Sequence, residues 1–157
     1  MGMRAAVGAI DEVRLDQGLP RVRVVGGGAP VGICGSGLLD AVVCGRASGK
    51  IASSGRLLQG DRWVLSEPVG VTQQDIRELQ LAKGAVCAGL RTLLTRAGPP
   101  EAFHLAGAFG NAMSVESTVG IGMIPFPAPV IVPAGNAALR GAKMALFHPE
   151  GGRSLWE

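Results

Sequence analysis

Leu105-Ala106-Gly107-Ala108-Phe109-Gly110-Asn111 is an apolar run that opens directly into glycine, which predicts a buried strand ending in a glycine-rich turn where a ligand can approach backbone. Its neighbours make that strand, read as Phe103 to Ala106, part of an alternating chain. Upstream, Thr72-Gln73-Gln74-Asp75 resembles a capping box with Asp in place of Glu and opens the longest periodic segment. Ile76, Leu79, Ala82, Val86, Leu90 and Leu93 keep helical spacing up to the stop at Gly98-Pro99-Pro100. Gly84 and Gly89 inside this helix each cost about 1 kcal/mol relative to Ala, which predicts close backbone packing or a ligand against that face. Downstream, Ser114 is placed to cap a helix over 114–121, Val130-Ile131-Val132 is a β-branched strand, and 136–147 is a closing helix.

Further upstream, residues 3–15 and 21–25 alternate around Asp16-Gln17-Gly18, the pattern of a hairpin. Gly32-Ile33-Cys34-Gly35-Ser36-Gly37 follows, with Ser36 read as the N-cap of a helix over 37–47 and Asp40 as complement to its dipole. Ala47-Ser48-Gly49 and Ser53-Ser54-Gly55 read as loop, and 62–66 as a strand. The order β-β-α-β-α-β-α-β-α implies an α/β domain, a mixed sheet flanked by helices. No repeat or linker marks a second domain, and 149–157 reads as a loosely held tail.

The 157 residues suffice for one domain with a real core, burying about two thirds of the unfolded surface. Apolar residues make up 47% and charged residues 17%, against about 25% charged in an ordinary globular chain, so either the core is large or apolar surface meets a partner. A net charge of +3 spread over single Lys and Arg residues, with four Phe, two Trp and no Tyr, argues against nucleic-acid binding. The N-terminus lacks a signal-peptide core, and the apolar stretch near 119–134 is broken by four prolines, so no membrane span is expected. Cys34, Cys44 and Cys87 form no close pair, which points to a cytoplasmic, reducing setting and away from a metal site in this chain.

Each glycine cluster alone admits a bland reading. Gly32 to Gly37 is either a tight loop that lets a helix pack on a sheet or an anion-binding helix start, and no Lys-Ser/Thr follows to make it a phosphate loop. Gly107 to Gly110 lacks the three-glycine spacing of a dinucleotide fingerprint. His104 and His148 read as structural rather than catalytic, Cys34 as a small buried residue or an activated thiol, and Asp11 and Glu12 as solvated charges. Gln80, Lys83 and Cys87 fall on one helix face.

Taken together and in order, Gly2-Met3-Arg4-Ala5-Ala6 with Gly8-Ala9-Ile10, Gly32 to Asp40, Thr72 to Arg77 with Gln80 to Ala85, Leu105 to Asn111, and Gly135-Asn136-Ala137-Ala138-Leu139 with Gly141-Ala142 resemble the C-terminal region of the reductive activators of corrinoid proteins. The resemblance implies a ribonuclease H-like, actin-like ATPase lobe of the acetate and sugar kinase, heat-shock chaperone and actin (ASKHA) superfamily over 1–148. In that family the lobe is joined to an N-terminal lobe and a ferredoxin-like 2Fe–2S domain, and ATP with Mg²⁺ drives return of a Co(II) corrinoid protein to Co(I). By similarity, Gly107, Ala108, Phe109, Gly110 and Asn111 form the adenosine turn, and Gln80, Lys83 and Gly84 lie on the helix beside adenine and ribose. Gly35, Ser36 and Gly37 form a loop near the cleft between lobes. The resemblance implies one shared pocket.

The chain departs from the family in having no Asp-Ile-Gly-type phosphate hairpin and no four-cysteine cluster pattern. It therefore reads as a C-terminal fragment or split lobe that binds adenosine without catalytic residues of its own. Alternatives are a non-catalytic interaction module, or the lobe of a related ATPase such as a dehydratase activator. The expected partners are the missing lobe, the ferredoxin-like domain and a corrinoid protein, with a homodimer open.

Overall fold

The computed structural model describes residues 2–147; the tail and His148 lie outside the described residues. Strands β1 (Ala9–Asp16) and β2 (Leu19–Val24) form the expected hairpin, with Val13 opposite Val22 and Asp16 opposite Leu19. Gln17 and Gly18 occupy its two-residue turn with φ of 50° and 80°, the paired left-handed geometry whose twist suits a tight hairpin. A short strand not foreseen in the sequence, β3 (Gly32–Ile33), runs parallel to β1, so this sheet is mixed with order β2-β1-β3.

Helix α1 (Gly35–Ala47) lies across this sheet. Its cap position is Cys34, with no side-chain cap bond, rather than Ser36. The Ser36 hydroxyl instead donates to the Asp11 carbonyl at 3.0 Å, tying the first turn to β1. Asp40 does not face solvent near the helix dipole either; it is buried. Two glycines allow the close approach of α1. A Cβ on Gly37 would lie 2.3 Å from the Ile10 carbonyl oxygen, and one on Gly45 would lie 2.6 Å from Ile51 Cδ1 and 2.9 Å from Trp63 Cζ3.

Strand β4 (Arg62–Ser66) falls where expected and pairs antiparallel with β5 (Val69–Thr72), which the sequence reading left unassigned. Trp63, Leu65, Val69 and Val71 join Ile10, Ile33, Leu39, Val42 and Ile76 in the main core. Helix α2 (Gln73–Ala97) begins with both bonds of the capping box: the Asp75 N–H donates to Thr72 Oγ1 at 3.2 Å, and the Thr72 N–H donates to Asp75 Oδ2 at 2.8 Å. Its apolar stripe is only half used. Ile76 is buried and Leu79, Leu90 and Leu94 are half-buried, whereas Ala82, Val86 and Leu93 are exposed. A Cβ at Gly84 or Gly89 would meet nothing within 4 Å, so neither glycine serves packing among the described residues.

Strand β6 (Phe103–Ala106) pairs in parallel with β7 (Ile131–Gly135) as a separate two-stranded sheet. Between them, the stretch expected as a turn is helical: α3 (Gly107–Ala112) starts at the strand end, and α4 (Val115–Gly120) follows the Ser114 cap, whose Oγ accepts from the Ser117 N–H at 3.1 Å. Ile124, Phe126 and Ile131 form a second small core under β6, with the Phe103 and Phe126 rings 5.0 Å apart. Helix α5 (Ala137–Phe147) closes the chain with no buried residue. No described helix is long and apolar enough to cross a membrane.

Candidate functional site

The carboxyl ends of β6 and β7 lie side by side, with Ala106 paired to Gly135. Gly107 has φ of 94° and Gly135 φ of 65°, and each leads into a helix, α3 and α5. Both therefore hold backbone that L side chains rarely adopt. In parallel α/β sheets, ligands collect just outside strand carboxyl ends, where no side chain blocks access to backbone. Asn136 orders the second junction by accepting a bond from the Leu139 N–H at 3.1 Å. Gly110 is buried, and a Cβ there would stand 3.2 Å from Leu105 Cγ. The side chains of Ala108, Phe109 and Asn111 are outside the described set.

Gln80 and Lys83 line a small cavity of about 50 Å³ between α1 and α2, with Arg46, Gly55 and Ile121. Gln80 Nε2 donates to the Ser54 carbonyl at 2.9 Å, fastening α2 to the loop before β4. Lys83 Nζ stands 3.7 Å from where a Cβ on Gly122 would sit. Gly84, one residue on, is exposed. Ligand sites usually measure about 300–1,000 Å³, so this cavity is too small to hold a whole ligand of that kind.

Gly35 and Ser36 line a second cavity of about 320 Å³ with Met3, Arg4, Cys34 and Ala112, while Gly37 faces inward against β1. Ala112 ends α3, so this loop and the Gly107 stretch are linked through that helix. Gln80 with Lys83 and Gly35 with Ser36 thus line two separate cavities, and Ala112 at the end of α3 lines the second.

The sequence reading missed a polar cluster. Asp40 Oδ1 accepts from Ser117 Oγ at 2.6 Å and Oδ2 from the Val13 N–H at 3.4 Å, beside a cavity of about 420 Å³ that also receives Asp11, Glu12, Arg23 and Glu116. Burial raises the Asp40 carboxyl above its ordinary range, against the lowering effect of its two hydrogen bonds. Arg23 is clamped by Asp11 at 2.9 Å and Glu12 at 2.7 Å, and the Asp11 bond raises its pKa. The available signal was one carboxylate inside the apolar run Leu38-Leu39-Asp40-Ala41-Val42-Val43.

Among the described residues no trio of His, Cys, Asp or Glu side chains is arranged to hold a metal ion. The three cysteines are free thiols, Cys34 buried and the other two half-buried. Cys44 donates to the Val13 carbonyl, and burial raises its thiol. This donor set fits neither an Mg²⁺–phosphate clamp nor an iron–sulfur cluster.

These helices packed on a mixed sheet and a parallel pair, with glycine at both parallel strand ends, define an α/β domain of the ASKHA class. Residues 1–156 match the family model described as the C-terminal domain of RACo, the ASKHA domain, and the chain belongs to that family. It is 34% identical over 182 aligned positions to the corrinoid activation enzyme RamQ of Eubacterium limosum, a match covering 96% of this chain and 31% of that one. It is 30% identical over 117 positions to the Co(II) methylated amine-specific corrinoid protein reductase of Methanosarcina barkeri, covering 72% of this chain and 22% of that one. A solved structure titled reductive activator for corrinoid, iron-sulfur protein superposes with a TM-score of 0.80 at 31% identity, over 95% of this chain and 28% of its own. The chain thus spans a third or less of the length of these relatives.

Proposed function

We propose that this chain is the ATP-binding C-terminal lobe of an activator that uses ATP to return Co(II) corrinoid proteins to Co(I) in the cytoplasm. The observation that carries the nucleotide assignment is the pair of left-handed glycines, Gly107 and Gly135, at adjacent parallel strand ends. Adenosine would meet backbone there, while Gln80 and Lys83 of α2 would flank it, Gln80 exchanging its bond to Ser54 for one to the ligand. Gly35, Ser36 and Gly37 would border the cleft toward the other lobe, and Gly84 would leave the α2 face open.

Phosphoryl transfer is mostly positioning and charge stabilisation, and among the described residues no group of side chains is arranged as an Mg²⁺ clamp or a redox centre. Both groups would belong to the N-terminal lobe and a ferredoxin-like domain. The cluster's role there would be to deliver the low-potential electron to the corrinoid. The isolated chain should then bind ATP and hydrolyse it negligibly. Titration calorimetry with ATP and with adenosine, on 1–157 alone and with its partner lobe, tests this: binding of neither in either setting would overturn the nucleotide reading.

A second reading, a non-catalytic interaction module, is supported by exposed Leu81, Leu93, Leu146 and Phe147. Binding to a corrinoid protein with no response to ATP would favour it.

A further inference from the structure

The geometry points to Asp40 as a positioning residue for the nucleotide, acting through Ser117 to hold the α3–α4 segment that begins at Gly107, an inference that rests on the nucleotide reading above. Helix α1 is a fixed platform, since Ser36 bonds to the Asp11 carbonyl and Gly37 lets the helix lie against Ile10. Helices α3 and α4 have six residues each, too few to hold a direction alone. Their apolar neighbours divide between two cores: Met113 packs on the main one, Val115 and Val119 on the small one under β6. Among the described residues, two side-chain bonds join α4 to α1. Arg46 reaches the Gly120 carbonyl at 3.5 Å in an exposed setting, whereas the Ser117–Asp40 bond is 2.6 Å and buried.

Ser117 also gives its N–H to Ser114 Oγ, so one residue carries both the cap of α4 and its tie to α1. Toward the hairpin, the cavity of about 420 Å³ lies between residues 112–117 and Asp11, Glu12, Arg14 and Arg23, so a shift of α4 in that direction meets no packed wall. Asp40 restrains that shift, which α3 would otherwise pass back to Gly107. A separation of 2.6 Å is that of a hydroxyl on an ionised carboxylate, so the tie depends on charge. The charged and titratable groups around Asp40 are Asp11, Glu12 and Arg14 of β1, Arg23 of β2, Glu116 of α4 and the Cys44 thiol of α1, while α3 carries none. Burial, the largest influence, raises the Asp40 carboxyl, so the tie weakens on acidification at pH values where an ordinary carboxylate is still ionised.

Calorimetry on 1–157 with its partner lobe tests this, with adenosine as the probe because its charge is constant from mildly acid to neutral pH. Asp40→Ala and Ser117→Ala should each weaken binding by roughly three- to tenfold, with circular dichroism showing that they fold. The double variant should lose no more than Asp40→Ala alone, because the two residues act as one unit. Asp40→Asn, which keeps an acceptor for Ser117, should restore part of the loss. The affinity of the parent should fall toward acid pH while that of Asp40→Asn does not follow it, and every other titratable group, His104 of β6 included, is common to both. Where Asp40→Ala does not fold, Ser117→Ala and the pH profile carry the test. Folded variants that bind as the parent does, additive losses in the double variant, or the same pH profile in Asp40→Asn would each overturn the proposal and leave the nucleotide site standing. A parent that binds no adenosine overturns both.

Discussion

Ser117 Oγ donates a 2.6 Å hydrogen bond to Asp40 Oδ1, joining α4 to α1 across 77 residues, and both side chains are buried. A carboxylate removed from water is costly unless hydrogen bonds replace hydration. Here two bonds offset part of that cost, and the net effect is still a carboxyl raised above its usual range. This contact helps seat α4, and with it the Gly107 segment, against the main core.

The raised Asp40 carboxyl gives stability a defined pH slope. The folded state holds this proton more tightly than the unfolded chain, so unfolding free energy from this group falls as pH rises from about 3.9 through the raised folded value. Glu116, held below its ordinary range by hydrogen bonds to its own N–H and to Ser114, acts in the opposite sense and loses its contribution as pH falls. Asp40→Asn, which keeps an acceptor for Ser117, should flatten the Asp40 slope in urea titrations at stepped pH. An unchanged slope would remove Asp40 as its source.

Ser117→Ala leaves the buried Asp40 carboxylate without its shortest bond. The expected cost is about 1–3 kcal/mol at neutral pH, shrinking toward acid pH where Asp40 is protonated. A loss independent of pH would mean that the hydroxyl matters through packing against α4 instead.

Glycines in this chain divide into two classes that substitution can separate. Gly37→Ala would put a methyl 2.3 Å from the Ile10 carbonyl and push α1 off β1, for an expected loss of about 1–3 kcal/mol. Gly84→Ala, in open space on α2, should raise stability by about 1 kcal/mol. Paired thermal melts check both signs, and similar effects at the two sites would defeat the distinction.

The same contrast explains what the sequence could reveal. Thr72 and Asp75 declare the start of α2 because a capping box is a local device, and Gln17-Gly18 declares the hairpin because its turn is local too. Ser36 misled because a serine before an apolar run looks like a cap whether its hydroxyl faces its own helix or, as here, the carbonyl of Asp11. Strands β3 and β5 are two and four residues long and owe their pairing to partners rather than to any pattern of their own. Half of the α2 stripe is exposed, since periodicity says which face is apolar and not what covers it. Two of the motifs fall on cavities, but the Asp40–Ser117 contact joins residues that no short-range signal connects.

Gly107 and Gly110 provide the sharpest test of the nucleotide end. At φ of 94° a Cβ on Gly107 forces the β6–α3 junction out of its left-handed geometry, a strain of roughly 1–2 kcal/mol, and moves the backbone adenosine would meet. Gly110 has no such φ, and a Cβ there meets Leu105 Cγ at 3.2 Å, a contact that a small side-chain shift relieves. Gly107→Ala should therefore weaken ATP binding by the assembled protein by on the order of tenfold, the equivalent of about 1.4 kcal/mol, while Gly110→Ala changes it little. Calorimetry on both variants, with circular dichroism to confirm that each folds, measures the difference. Equal affinities for folded Gly107→Ala and the parent chain would place the nucleotide away from the carboxyl ends of β6 and β7.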